Sequence, residues 1–320
     1  MILNEPYHIT QFAISLLGLM FNGALFLMVV TESNSFNPSS YLPIWICLSD
    51  VILNTNNVLF GIYSWVTQES LVQLRSEACA FDAFIVLFSC STSLLLLLGL
   101  TYLRYSIIVK ETEVKLPIVK WGIAGSYATG ALSASAPFLL GSPTIYSLSN
   151  DKLYCATSWT RRDPKTLAVI VLHLSTISIP LIFLFYAYTC IYLKIRSSIG
   201  GVRQFCSEPK LEQVETASFR PSTTSKRTSI VQRLSARVSV VSEDWRFLQQ
   251  SIVMVATSLA GWSPMAVTLL YSVLTGQEIS PEIDFVAQMC ILVQTVFNPI
   301  YLVCKNRELR VCVRERLKLN

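Results

Sequence analysis

Charge is scarce in this chain. Only 14% of its 320 residues are Asp, Glu, Lys or Arg, while 52% are hydrophobic; soluble domains carry about 25% charged residues, so the composition excludes an ordinary soluble domain. No Lys or Arg lies deep in a long apolar run, which excludes a chromophore held as a Schiff base on a lysine in the last such run. Metalloprotease, P-loop and nucleophile-elbow motifs are missing too, and with them the usual sequence signs of an enzyme. Internal repeats are lacking, and Asp50 is the one acid deep in an apolar run. A transporter or channel calls for repeated halves, broken helices or several charges along a pathway, so that reading ranks low.

What is present is seven apolar stretches. Crossing a hydrocarbon core takes about 20 predominantly apolar helical residues, and the runs at about 9–31, 41–66, 78–108, 117–140, 167–194, 247–274 and 285–303 meet that length. The fold class read from them is an all-α membrane protein, a seven-transmembrane helix bundle over 1–304. A short amphipathic eighth helix and tail follow over 305–320. The first run is too long, and lacks the basic leader, for a cleaved signal peptide, so it is expected to stay.

Orientation follows from the basic residues, which cytoplasmic flanks accumulate. Arg75, Lys152, Arg161, Arg162 and Lys165 fall on one side; the remaining twenty of the 25 fall on the other. The expected arrangement is a multi-pass cell-membrane protein with its N-terminus outside and its tail inside. The net charge of +5 then needs no nucleic-acid partner. Cys47, Cys90, Cys190 and Cys290 sit within spans and Cys206, Cys304 and Cys312 face the cytosol, where thiols stay reduced. Cys79 and Cys155 remain outside, and a bridge between them would tie the long outer loop to the top of the third helix.

The most informative residue is Arg104, a cation at the inner mouth of a span, 25 residues after Cys79. A cation there usually marks a functional site. That interval is joined by others: Asn22 and Asp50 are 28 apart, Pro180 and Tyr188 eight apart, followed by Gly261-Trp262-Ser263-Pro264 and Asn298-Pro299-Ile300-Tyr301. From Asn22 to Leu309 the ordered set resembles the rhodopsin-like (class A) G-protein-coupled receptors. The resemblance implies switch residues at Arg104, Tyr105, Tyr188, Trp262, Pro264, Asn298, Pro299 and Tyr301. It also implies a clamp from Arg104 to Asp244 and a sodium and water pocket at Asp50, Ser93 and Asn298, the only metal expected. An uncharged Asp50 with ordinary interhelical hydrogen bonds is the competing reading. Pro264 and Pro299 lack an N–H inside apolar helices and are expected hinges.

Four departures from the family pattern stand out. Leu103 replaces the acid that precedes the arginine, which is expected to loosen the resting clamp and raise basal signalling. Leu302 stands where the family has its tyrosine, one place after Tyr301, and Ser258 stands where it has Phe beneath the tryptophan. In helix four, Tyr127 lies nearer the family interval from Pro137 than Trp121 does.

The resemblance implies an extracellular small molecule or short peptide as ligand and a heterotrimeric G protein as partner. Val86 stands where amine receptors of the family carry Asp, and Leu292 where opsins carry lysine. Asp82, Val86, His173, Trp262, Tyr271, Asp284 and Gln288 are candidate ligand contacts. The outer segments lack a glycosylation sequon, and with ten or so residues before the first span no large ectodomain is expected. The loop at about 196–243 reads as disordered. Lys226-Arg227-Thr228-Ser229, Arg233-Leu234-Ser235 and Arg237-Val238-Ser239 resemble basophilic kinase sites there, suited to kinases and arrestin. Leu309, Cys312, Val313 and Leu317 space a basic amphipathic helix for the inner bilayer surface, with Cys312 a palmitoylation candidate. A receptor-like scaffold that does not signal remains the alternative function, encouraged by Leu103 and Tyr301.

Overall fold

The computed structural model describes residues 6–30, 38–207, 252–305 and 307–317. Its long helices are α1 (Pro6–Val30), α2 (Pro38–Thr67), α4 (Ser76–Ile108), α5 (Leu116–Leu139), α6 (Pro164–Ser207), α7 (Ile252–Thr275) and α8 (Pro281–Lys305). A single turn, α3 (Leu71–Leu74), links α2 to α4, and α9 (Arg307–Leu317) follows α8. All except α5 among the seven long helices are long and apolar enough to cross a membrane. The 24-residue α5 has the length but is diluted by Lys120 and by Gly and Ser.

The faces of these helices are sorted for lipid. On α1 the buried stripe is Gln11, Ser15, Gly18, Asn22, Leu25 and Val29, at the three-to-four spacing of one helical face. Leu16, Leu17, Met20, Phe21 and Leu27 point outward and are exposed. Small and polar residues inward, large apolar ones outward, is the arrangement a bilayer favours: helices associate there through close packing and hydrogen bonds. A close approach of this kind needs Gly130 on α5, where a Cβ would collide with the Thr92 hydroxyl of α4.

Helix α4 is the central post, packed against α2, α5, α6 and both strands. The strands β1 (Tyr146–Leu148) and β2 (Cys155–Thr157) form an antiparallel hairpin in which Leu148 pairs with Cys155. The expected bridge is present: Cys79 of α4 is bonded to Cys155, with Cα atoms 5.4 Å apart. Helix α6 continues to Ser207, so residues 196–207, placed by sequence in a disordered loop, are helical. The rest of that loop with its kinase-like sites, and Asp244 just beyond it, lie outside the described residues. On α9, Leu309 is buried while Arg310, Arg314 and Glu315 are exposed, an amphipathic face as expected; the Cys312 side chain lies outside the described residues.

Candidate functional site

Three sites line up along the bundle. The middle one is a polar core where α1, α2, α4 and α8 meet. Asn298 donates through Nδ2 to Asp50 Oδ2 at 3.3 Å. Ser93 donates to Ser49 Oγ at 3.1 Å, and Ser49 donates to the Ser89 carbonyl at 2.9 Å. Asn22 donates to the carbonyls of Gly18 and Thr295 at 2.8 and 2.7 Å, tying α1 to α8. A small cavity, about large enough for one water, opens here, lined by Asp50, Ser89, Ser93, Trp262, Gln294 and Thr295. Asn298 Oδ1 and Gln294 Oε1 are buried with no hydrogen-bond partner among the described residues. With Asp50 and the serine hydroxyls they make an oxygen-rich donor set that fits a hard cation or water. Asp50, Ser93 and Asn298, singled out in the sequence, lie together here, and Gln294, one turn before Asn298, joins them.

Trp262 lines this cavity. It also packs against a cluster that joins Leu153 and Tyr154 of the hairpin to Met265, Ala287 and Ile291. Beneath Trp262, Gln294 donates to Ser258 Oγ at 3.0 Å, joining α8 to α7 where the family has an apolar Phe. Gly261 makes room for this bond, since a Cβ there would strike Gln294 Oε1.

The end bearing α9 holds Arg104, 6% exposed, and Leu103, 2% exposed. Leu103 packs in the main core cluster with Leu100, Ile123 and Leu184, which Tyr188 also borders. Tyr105 meets Phe183 and Tyr186 edge-on or tilted, and Tyr301 stacks on Phe297 at 5.7 Å. Pro264 and Pro299 both lie within continuous helix. Glu111 accepts a hydrogen bond from Lys194 at 2.8 Å, which lowers its carboxyl pKa and pins the α4–α5 turn to α6. The expected Arg104–Asp244 clamp falls outside the described residues. Trp121 is 78% exposed, whereas Tyr127 donates to the Trp45 carbonyl of α2 at 2.8 Å and packs on its ring. Tyr127, which lies nearer the family interval from Pro137, therefore joins α5 to α2.

At the hairpin end, the candidate ligand contacts divide. Asp82 accepts from Asn56 Nδ2 at 2.6 Å and from the Cys155 amide at 2.7 Å, bracing α4 against α2 and β2. His173 is nearly enclosed. Its Nε2 meets the Ser133 carbonyl at 3.1 Å, which can only accept, so Nε2 carries the proton and Thr157 donates to Nδ1 at 3.1 Å. That makes His173 a strut between α5 and β2. Asp284 accepts from Tyr154 Oη at 2.9 Å and from the Asn150 amide at 3.1 Å, fastening the hairpin to α8. Burial, and then the charges of Asp284 and Asp151, hold the Tyr154 phenol well above its usual pKa, so it stays a donor. Burial also pushes Asp151 up to about 6, partly offset by bonds from Ser149 and the Leu153 amide. Val86 borders an apolar cluster with Leu53, Met289 and Leu292. Tyr271 is exposed and donates to Gln277. Gln288 is buried, its Oε1 without a partner among the described residues.

Seven long helices, a helix along one end, a bridged hairpin capping the other and a polar core between define a seven-helix membrane receptor. The chain belongs to the rhodopsin family of 7 transmembrane receptors, whose family model matches residues 21–301. Among solved structures it is similar to squid rhodopsin, with a TM-score of 0.78 at 17% identity, covering 98% of this chain and 84% of that one. That identity speaks to the fold alone. No curated protein matches the sequence.

Proposed function

We propose that this receptor binds an extracellular small molecule or short peptide and activates a heterotrimeric G protein through rearrangement of α4, α6, α7 and α8. The observation that carries the proposal is the oxygen-lined core at Asp50, Ser93, Gln294 and Asn298, set between Trp262 on the hairpin side and buried Arg104 on the other. An acid inside a bilayer is costly, and it persists where it serves a function. Asp50, Ser93 and Asn298 would hold a sodium ion, which when bound stabilises the closed packing of α2, α4 and α8. Pro264 and Pro299 interrupt the hydrogen-bond ladders of α7 and α8, giving each a point at which its inner half swings. The outward swing opens a cleft beside Arg104 and Tyr105 for the G protein.

The basic-residue bias orients the N-terminus outside and the tail inside. Kinases and arrestin act at the third cytoplasmic loop, at about 196–243, and Cys312 is an acylation site beside the bilayer. Leu103, packed in the core where the family carries an acid, leaves Arg104 without that restraint and raises basal activity. The test is G-protein recruitment in cells expressing the wild-type chain, Arg104→Ala and Leu103→Asp. Recruitment without ligand that falls in both variants supports the proposal. No recruitment under any stimulus favours a scaffold, and solute flux without recruitment favours a transporter.

A further inference from the structure

A proline inside a helix leaves the carbonyl four residues earlier without its N–H donor. On α8 Pro299 frees the carbonyl of Thr295, and Asn22 of α1 donates to it at 2.7 Å. On α5 Pro137 frees the carbonyl of Ser133, which His173 of α6 meets at 3.1 Å. A neighbouring helix thus fastens both kinks. The kink of α7 is fastened only from within: Pro264 frees the carbonyl of Ala260, and the donor, at 3.2 Å, is Ser263 of the same helix.

What ties the part of α7 before Pro264 to its surroundings lies one turn below Trp262. Among the described residues 252–261, one side-chain hydrogen bond reaches another helix, from Gln294 Nε2 of α8 to Ser258 Oγ at 3.0 Å. Ser258 and Gly261, three residues apart, share a helix face. The missing side chain at 261 leaves the notch in which the Gln294 carboxamide lies. A hydroxyl both donates and accepts, so the bond to Ser258 holds for either orientation of that amide. Met254 and Val255 add apolar contacts, but lipid tails replace these when a helix swings outward, whereas hydrocarbon offers no substitute for a hydrogen bond. Gln294 also lines the Asp50 cavity. The contents of that cavity and the position of α7 therefore act on one side chain.

We propose that Gln294, seated on Ser258 and Gly261, is a polar clasp that holds α7 against α8 at rest, and that its opening frees α7 to swing about Pro264. The clasp takes the place of the apolar Phe that the family carries at 258. That its opening signals to a G protein rests on the receptor function proposed above; the clasp itself does not.

The test replaces Ile252, 43% exposed near the start of α7, with trifluoromethyl-phenylalanine in the full chain. Fluorine NMR in lipid nanodiscs, without G protein, then reads the populations of the α7 positions. Ser258→Ala is expected to shift the population ratio about fivefold. Gln294→Ala is expected to shift it equally and in the same direction, and the double variant no further than either alone. A ratio unmoved in Ser258→Ala, a double variant that shifts by the product of the two, or one signal throughout overturns the proposal. Ser258→Ala loses a single oxygen, and its result decides alone if Gln294→Ala does not fold. Nucleotide exchange on purified G protein, read in the same variants, is expected to rise in Ser258→Ala. An unmoved ratio in a chain that catalyses exchange refutes the clasp alone. A shifted ratio without exchange on any Gα class refutes the receptor function alone.

Discussion

Replacing Gly261 with Ala tests how tightly α7 and α8 meet below the hairpin. A Cβ at 261 would lie 3.0 Å from Gln294 Cβ and 3.1 Å from its Cδ, against 3.4–4 Å for ordinary contact. The side-chain tip of Gln294 can turn away, but its Cβ cannot, so the two helices must part by a few tenths of an ångström. Overpacking of this kind costs about 1–3 kcal/mol. The Gln294–Ser258 bond, about 1 kcal/mol, is strained as well, and the expected destabilisation is about 2 kcal/mol. Gln294→Ala alone removes the bond and costs about 1 kcal/mol. In the double variant the added methyl no longer meets Oε1 or Cδ, so the two effects sum to less than their separate costs by about 1 kcal/mol. The assay is the apparent unfolding temperature in nanodiscs at one scan rate, because receptor unfolding is irreversible and rate-dependent. A Gly261→Ala protein as stable as wild type, or strict additivity with Gln294→Ala, refutes the packing argument.

Tyr154→Phe removes the phenol that donates to Asp284 at 2.9 Å; a bond to a charged group is worth about 1.5–3 kcal/mol, so amides of 146–157 should exchange faster, and unchanged exchange would sink the latch. Cys155→Ser opens a bridge spanning 76 residues and should cost about 2–4 kcal/mol, read as a lower fraction of folded receptor at the cell surface; an unaltered fraction contradicts it. Asp151 has its pKa raised to about 6 in the folded hairpin. The folded state therefore binds the proton more tightly than the unfolded chain, and the stabilisation is full at low pH and lost as pH rises through about 6. Protection factors of the hairpin amides, corrected for the intrinsic pH dependence of exchange, should rise on acidification from about pH 7 to about pH 5, and Asp151→Asn should flatten that dependence; protection that falls on acidification rules out the assignment.

Much of the architecture was legible because its signals are local. A span announces itself through an unbroken apolar run, and Asp50 and Asn298 stand out because each is a polar side chain inside one. Cys79 and Cys155 were paired by excluding every cysteine on the reducing side. What the sequence hid is contact between distant segments. Asp82, Asp284 and His173 read as ligand contacts because polar residues near the outer ends of helices invite that role. Their partners lie 26 and 73, 134 and 130, and 40 and 16 residues away, and only the docked hairpin reveals them as struts. The end of α6 was misplaced for a different reason. Gly200-Gly201 and the neighbouring serines carry weak helix propensity, yet the helix continues through them to Ser207. Gly261 stood in the sequence only as the first residue of Gly261-Trp262-Ser263-Pro264; in the fold it is the space that Gln294 needs.

In the proposed function the polar core and Arg104 form a switch that acts on a G protein. It is tested most directly by nucleotide exchange on purified heterotrimers of each Gα class, catalysed by the receptor in nanodiscs. The account predicts exchange above that of empty nanodiscs with at least one class, present without ligand and abolished by Arg104→Ala. Exchange with none of the classes, or exchange that survives Arg104→Ala, contradicts it.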